Sequence, residues 1–585
     1  MLLAAALAVL TAACTGGGNT AEPGDPEGPI AGADDVEEID CEFDTPAGYN
    51  VECGVLTVPE DWSNPDGPSI GIHYAVFGNP DADGSDDPVL YLTGGPGGFV
   101  LETVPLVFPT VIEPVMGNRD LVLLDQRGTG FSEPSLTCPE YTDMVYDTLE
   151  GELDPAEIRE MSSTAVVECR DRLADEGADL SAYNTTNNAT DLKALRQALE
   201  YEQWNIYGIS YGSRLAMVTM DQDPEGIRSV VLDSTYPLDA DLYTEMPANY
   251  KRALDTLFDS CVNDPACAEA YSGVEDTFYS LVESFEEEAP PYVITNPMTQ
   301  QTFDARLTGA DLAGLMFSSM YATEIIPYLP EFIAGAGEGR YDPLGLLQGI
   351  FLVDIDYMSM GMQLSVQCQE EVAHTDAAAV AAAADEVPEL RAMFQGAPTS
   401  GEHLFELCEI WDAGSSDLGE LGETSIPTLV LAGEFDPITP PHWGERVSDS
   451  LDNSYFFTFP STGHGALPSH GCAAGMTLDF LNDPSAAPGS ECIADIEPPA
   501  FTASDIAPEM RPYSHAASGI STVVPETWTE VQPGIFQQSL LVSVGIIPVP
   551  GVTPAQLIGQ LASQLGQSGP LPPTGTRSTG AFEWQ

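Results

Sequence analysis

Trp204-Asn205-Ile206-Tyr207-Gly208-Ile209-Ser210-Tyr211-Gly212-Ser213-Arg214-Leu215-Ala216-Met217 reads as a strand, a tight turn and the opening of a helix. The apolar run Trp204–Ile209 suits a buried strand, and Arg214-Leu215-Ala216-Met217 consists of good helix formers. Gly208 and Gly212 free the backbone to turn sharply and let helix and strand pack closely. Such a turn lifts the Ser210 hydroxyl above a sheet edge, the Gly-x-Ser-x-Gly setting of a serine nucleophile. The motif alone is weak; the strand before it and the helix after it give it weight.

Outward from this turn, short β-branched runs alternate with helical patterns, which predicts a mostly parallel sheet. Eight strands are expected, at Gly54–Val58, Ile70–Gly78, Pro88–Thr93, Asp120–Asp125, Trp204–Ile209, Ser229–Asp233, Thr428–Ala432 and Ser454–Phe459. Leu192, Leu195 and Leu199 mark one face of a helix over Ala189–Tyr201. From Asp233 to Thr428 the strand signal stops. Helices such as Lys251–Cys261, Gly309–Tyr321 and Ala377–Phe394 fill that stretch, as in a lid over the carboxyl ends of the strands.

A serine nucleophile needs a base and an acid that orients it, and on this elbow they follow in the order Ser, Asp or Glu, His. After the seventh expected strand comes Gly433-Glu434-Phe435-Asp436-Pro437, and after the eighth Ser461-Thr462-Gly463-His464-Gly465. Asp436 and His464 are therefore assigned as acid and base, with Asp233 the alternative acid and His470 the rival histidine. The other five of the seven histidines fall in a strand, in helices or turns, or in the tail. Thr93-Gly94-Gly95-Pro96-Gly97-Gly98 follows the third strand, where a loop supplies N–H donors for an oxyanion. Gly95, with Gly94 as the alternative, and Tyr211 are the expected donors. The fold class is α/β: an α/β-hydrolase fold with a large helical lid insertion. The glycine loop does not fit dinucleotide binding, because Gly-x-Gly-x-x-Gly is not satisfied.

Gly94-Gly95-Pro96-Gly97, Asp125-Gln126-Arg127-Gly128-Thr129-Gly130-Phe131-Ser132 and Gly208-Ile209-Ser210-Tyr211-Gly212 together resemble the proline iminopeptidase family of serine peptidases. The nearest branch is that of secreted bacterial tripeptidyl aminopeptidase-like enzymes. The resemblance runs on through Gly433-Glu434-Phe435-Asp436-Pro437-Ile438-Thr439-Pro440 and Gly463-His464-Gly465, covering roughly Cys41 to Pro498. Thr93 departs from the histidine usual in the family at that place. The resemblance implies hydrolysis of peptide bonds near a free N-terminus, with Asp125 and Arg127 bracing the oxyanion loop. In Ser365-Val366-Gln367-Cys368-Gln369-Glu370-Glu371 it marks Glu370 and Glu371 as candidate anchors for the substrate ammonium. Oligopeptides are the expected substrates. A secreted esterase with the same triad is the alternative, because one acyl-transfer apparatus serves both. A binding module on a dead scaffold is disfavoured, since every catalytic position is filled.

Composition sets the surroundings. The 585 residues are 43% hydrophobic, ample for a sizeable core, yet 17 Lys+Arg against 92 Asp+Glu leave a net charge of −75. Such a surface repels phosphate backbones and anionic lipid, so nucleic-acid and peripheral membrane binding are poor readings. It predicts solubility in high salt.

Leu2–Ala13 is apolar but too short to span a bilayer, and Thr11-Ala12-Ala13-Cys14 resembles a lipoprotein cleavage site. No Lys or Arg precedes it, and Thr11 stands where Leu is usual. The reading is an exported protein, in the cell envelope or outside the cell. Lipidation at Cys14 would be its one membrane attachment.

Eleven cysteines less Cys14 leave ten: Cys41, Cys53, Cys138, Cys169, Cys261, Cys267, Cys368, Cys408, Cys472 and Cys492. An even number in an exported chain favours disulfides. Sequential pairing is the simplest scheme, although spacing does not select it. The resemblance implies Cys368–Cys408 and Cys472–Cys492. No metal and no cofactor are expected, and a monomer is.

The chain divides into a signal segment (1–14), a Gly/Pro/acid-rich tether (15–40), the first part of the hydrolase core (41–235), the lid (236–425), the second part of the core (426–498) and a C-terminal extension of unassigned role (499–585). Ile520–Val524 and Gly534–Val542 are expected strands there, and Thr553–Gly566 an amphipathic helix.

Overall fold

Strand-forming runs become strands where they can be buried on both faces. The computed structural model describes residues 36–501 except 47, 80–86, 104–107, 109–112, 151–152 and 396–400, and beyond them short strands between 510 and 584. In chain order the strands are β1 (Val36–Ile39), β2 (Asn50–Pro59), β3 (Ser69–Gly78), β4 (Val89–Leu92), β5 (Leu121–Leu124), β6 (Trp204–Ile209), β7 (Ile227–Asp233), β8 (Pro291–Thr295), β9 (Thr302–Arg306), β10 (Thr428–Gly433) and β11 (Ser454–Phe459). Nine of them form one sheet in the order β1-β2-β3-β5-β4-β6-β7-β10-β11. The three pairings β1–β2, β2–β3 and β3–β5 are antiparallel, and those joining β5, β4, β6, β7, β10 and β11 are parallel.

The sheet thus has nine strands rather than the eight expected. The added strand, β1, lies inside the stretch read as a tether. Val36-Glu37-Glu38-Ile39 carries only two apolar residues and becomes a strand by pairing with Cys53–Leu56 on β2. Residues 1–35, with Cys14, and 553–566 lie outside the described residues.

Successive strand residues point to opposite faces, so each central strand feeds two cores. Leu90, Ile206 and Val230 pack with Leu192, Leu195 and Leu215 on one side. Val89, Tyr207, Val231 and Leu429 pack with Met476, Phe480 and Leu481 on the other. Three helices matter for the site so far: α1 (Thr185–Ala198), α2 (Tyr211–Gln222) and, opening the lid, α3 (Leu242–Asn263). The Asn184 side chain caps α1 by accepting the Asn187 N–H, so that helix starts and ends earlier than its leucines suggested.

The lid has its own core of Tyr250, Leu254, Phe258, Phe278, Leu312 and Leu329. It is not wholly helical, because β8 and β9 form a hairpin within it. The helix expected over 377–394 is broken into Ala377–Asp385, a 3₁₀ turn at Pro388–Leu390 and Arg391–Phe394. Pro388 lacks the N–H that a continuous helix needs. A lid helix bearing the candidate anchors, α4, spans Met360–Glu370.

Among the described residues, disulfides join Cys41–Cys53, Cys138–Cys169, Cys261–Cys267, Cys368–Cys408 and Cys472–Cys492, the sequential scheme throughout. Past the core, Met510–His515 pairs with Ile520–Pro525, while the run expected as one strand over 534–542 is two, Ile535–Ser539 and Val542–Gly545, in a small sheet with Thr529–Gln532.

Candidate active site

Ser210 stands between β6 and α2 with φ 57° and ψ −126°, a positive φ that a side-chain-bearing residue adopts only under local constraint. The constraint is close packing: a Cβ on Gly212 would lie 2.1 Å from the Leu92 carbonyl oxygen, so only glycine lets α2 come this near β4. The glycine loop after β4 reaches the nucleophile itself. A Cβ on Gly94 would sit 2.8 Å from Ser210 Cβ and 3.2 Å from its Oγ. Gly95 follows directly. Tyr211 opens α2, so its N–H has no partner within the helix.

Asp436 follows β10 and is fully buried; its Oδ2 lies 2.8 Å from His464 Nδ1. Oδ1 accepts the N–H groups of Ile438 (3.0 Å) and Thr439 (2.9 Å), and the Thr439 hydroxyl donates to Oδ2 at 2.7 Å. Burial alone would raise the Asp436 pKa. The facing imidazole and these hydrogen bonds outweigh it and hold the carboxyl below its ordinary value. His464 shows the converse balance, with burial opposing the charge and Asp436 prevailing, so its pKa is raised. The His464 loop packs on the elbow: a Cβ on Gly465 would lie 2.9 Å from Ile209 Cδ1.

Asp233 is not the acid partner. Its carboxylate accepts the N–H groups of Ala466 (2.8 Å) and Leu467 (2.9 Å) and the Tyr207 hydroxyl (3.0 Å), which anchors the turn just past His464. His470 pairs with no acid, and its buried Nε2 has no hydrogen-bond partner among the described residues.

The expected brace of the oxyanion loop is only half right. Asp125 accepts from the N–H groups of Val100 (2.8 Å), Leu101 (3.0 Å) and Phe131 (2.9 Å), tying down the chain just past Gly98; burial pushes its pKa to about 6. Arg127 points elsewhere: it makes a two-pronged pair with Asp191, both contacts 2.7 Å, and donates to the carbonyls of Glu60 and Ala182. The residue between them reaches the loop, since the Gln126 amide donates to the Thr93 carbonyl at 3.1 Å.

Both lid acids are buried. Glu370 is engaged by one residue, its Oε1 accepting the Thr185 N–H and its Oε2 the Thr185 hydroxyl, each at 2.6 Å. That spends the charge that an anchor would offer to a substrate, which corrects the reading of Glu370. Burial, only partly offset by Arg214 and Thr185, brings its pKa to about 7. Glu371 pairs with Arg214 at 3.1 Å through Oε1, while its buried Oε2 has no hydrogen-bond partner among the described residues; burial, partly offset by Arg214, Tyr236 and Tyr243, raises its pKa.

Contacts from four lid residues escaped the sequence reading. The His464 N–H donates to the Tyr321 carbonyl (3.0 Å) and the Gly463 N–H to Thr323 Oγ1 (2.9 Å). Arg252 on α3 donates to the carbonyls of Glu434 (2.7 Å) and Asp436. Ser359 donates its N–H to the Gly97 carbonyl (2.8 Å) and its hydroxyl to the Gly128 carbonyl (2.6 Å). Thr439 is the one missed residue with a usable signal, since Asp followed three residues later by Thr invites a carboxylate-capped turn. Among the described residues no His/Cys/Asp/Glu group is arranged to hold a metal, and no helix is long and apolar enough to cross a membrane.

A serine on a β6–α2 elbow, a His–Asp pair past β10 and β11, and a glycine loop past β4 define an α/β hydrolase. The family model for the alpha/beta hydrolase fold matches residues 87–280, and that of the TAP-like proteins matches residues 398–492. Serine protease Hip1 of Mycobacterium tuberculosis (strain ATCC 25618 / H37Rv) is 24% identical over 70% of this chain and 81% of its own length. Tripeptidyl aminopeptidase of Streptomyces coelicolor is 31% identical over 34% of this chain and 38% of its own length. The chain has the α/β-hydrolase fold, and relatives named tripeptidyl aminopeptidase and proline iminopeptidase support that branch of it.

Proposed function

We propose that this serine hydrolase is an exported aminopeptidase, cleaving peptide bonds near the free N-terminus of oligopeptides. The observation that carries the chemistry is the 2.8 Å pairing of His464 Nδ1 with Asp436, on a loop packed against the residue before Ser210. With Nδ1 engaged, Nε2 takes the Ser210 proton as Oγ attacks the scissile carbonyl. The N–H groups of Tyr211 and Gly95 receive the oxyanion. The protonated imidazole then gives its proton to the leaving amine, and water releases the acyl group by the same steps in reverse order.

Similarity to a serine protease and to a tripeptidyl aminopeptidase supports peptides as substrates. Glu371 pairs with Arg214, which lies one helical turn beyond Ser210, and its buried Oε2 has no hydrogen-bond partner among the described residues. A substrate ammonium would supply that partner, and Glu371 is the anchor in this reading. Export fits the five disulfides found among the described residues.

The test compares chromogenic peptide anilides with free and acetylated N-termini beside a p-nitrophenyl ester, with Ser210→Ala as the blank. Cleavage of free but not acetylated peptides is expected. Ester turnover without anilide cleavage would leave a secreted esterase.

A further inference from the structure

The residue after the nucleophile is held by more than its helix. The Tyr211 side chain is fully buried, and its hydroxyl lies 2.8 Å from Thr185 Oγ1. The Thr185 hydroxyl has one hydrogen, and it goes to Glu370 Oε2 at 2.6 Å. Tyr211 is therefore the donor to Thr185. The Thr185 N–H, at the first turn of α1, completes the link through Glu370 Oε1. A directed chain thus runs from Tyr211 to Thr185 to Glu370 and joins the elbow, α1 and the lid. Its far end is fastened covalently, because Cys368, two residues before Glu370, is bonded to Cys408 in the lid helix Gly401–Trp411.

From this chain we infer that Glu370 is a positioning residue: through Thr185 it fixes the Tyr211 ring and thereby sets the Tyr211 N–H that receives the oxyanion. The inference rests on Ser210 being the nucleophile, and it holds for ester and peptide substrates alike. An oxyanion donor stabilises the transition state only if it is aimed before the reaction begins, and misplacement by a fraction of an ångström weakens it. Glu370 is suited to this because a carboxylate accepts both Thr185 donors at once, whereas an amide has a single acceptor oxygen.

The experiment uses the whole protein with a p-nitrophenyl ester, active sites counted by saturating fluorophosphonate labelling, and a peptide aldehyde that forms a tetrahedral adduct with the serine. Glu370→Gln, Thr185→Val and Tyr211→Phe are each expected to lower kcat on the order of tenfold or more per labelled site. KM should stay within about twofold, and aldehyde affinity should fall in parallel with kcat/KM. Thr185→Ser keeps the bridging hydroxyl and should restore the wild-type rate. Variants that lose thermal stability but keep kcat per labelled site would overturn the positioning role and leave a structural tie. Equal effects of Thr185→Ser and Thr185→Val would overturn it too. A wild-type protein that neither labels nor turns over ester would remove the nucleophile itself, an outcome distinct from these.

Discussion

The ring of Tyr321, carried by the lid, lies 4.6 Å from the ring of His464, while the Tyr321 carbonyl accepts the His464 N–H at 3.0 Å. The base is therefore walled on one side by the lid. Tyr321→Ala removes the wall and leaves the backbone bond in place. It should lower kcat about tenfold by freeing the imidazole to turn, an effect of orientation. Tyr321→Phe should keep most of the rate, since ring contact is what matters. Steady-state kinetics of the two variants decides it.

The Asp436–His464 pair fixes the pH response. Activity needs the neutral imidazole, and Asp436 raises the His464 pKa. The acid limb of kcat/KM should thus have its midpoint above 6.5, the ordinary value for histidine. Asp436→Asn should move it downward and cut kcat by orders of magnitude. The pair also stabilises the fold with two opposite signs. The His464 contribution is present below its unfolded pKa and is lost as pH rises through the folded value; the Asp436 contribution is present above its unfolded pKa and is lost as pH falls through the folded value. Melting temperature against pH should show the acid-side loss below the ordinary carboxylate range.

Gly94→Ala tests the oxyanion loop. The new methyl would overlap Ser210, at 2.8 Å from its Cβ. Fluorophosphonate labelling and ester turnover should both collapse, while the far-ultraviolet circular dichroism stays as in the wild type.

Arg127 and Asp191 are both buried and bonded at two points. Removing one partner leaves the other charged and buried, so Arg127→Met should cost about 3–5 kcal/mol of stability. Because Arg127 does not reach the oxyanion loop, activity per folded molecule should persist. A large loss of kcat at unchanged folded fraction would reverse this assignment.

What was legible in the sequence was local in the chain. Ser210, Asp436, His464 and Gly94–Gly95 each stand just past a strand with glycine nearby, so motif and strand pattern point to the same place. The lid's contributions have no such signature. Tyr321, Arg252 and Ser359 act through backbone carbonyls or ring contact, from helices and turns whose patterns report only burial. Glu370 was noticed for its charge, but its partner Thr185 lies 185 residues earlier, and nothing local announces that pairing. β1 was missed because two glutamates interrupt it and its pairing with β2 supplies the order its own residues do not.

The lid donates to or accepts from the acid loop, the histidine loop, the oxyanion loop and, through Thr185, the nucleophile turn. A roof nailed to every wall of the room cannot be lifted without bringing the walls down. Lifting the lid would therefore break hydrogen bonds to each of these loops at once, so that lid movement and loss of the assembled site are one event.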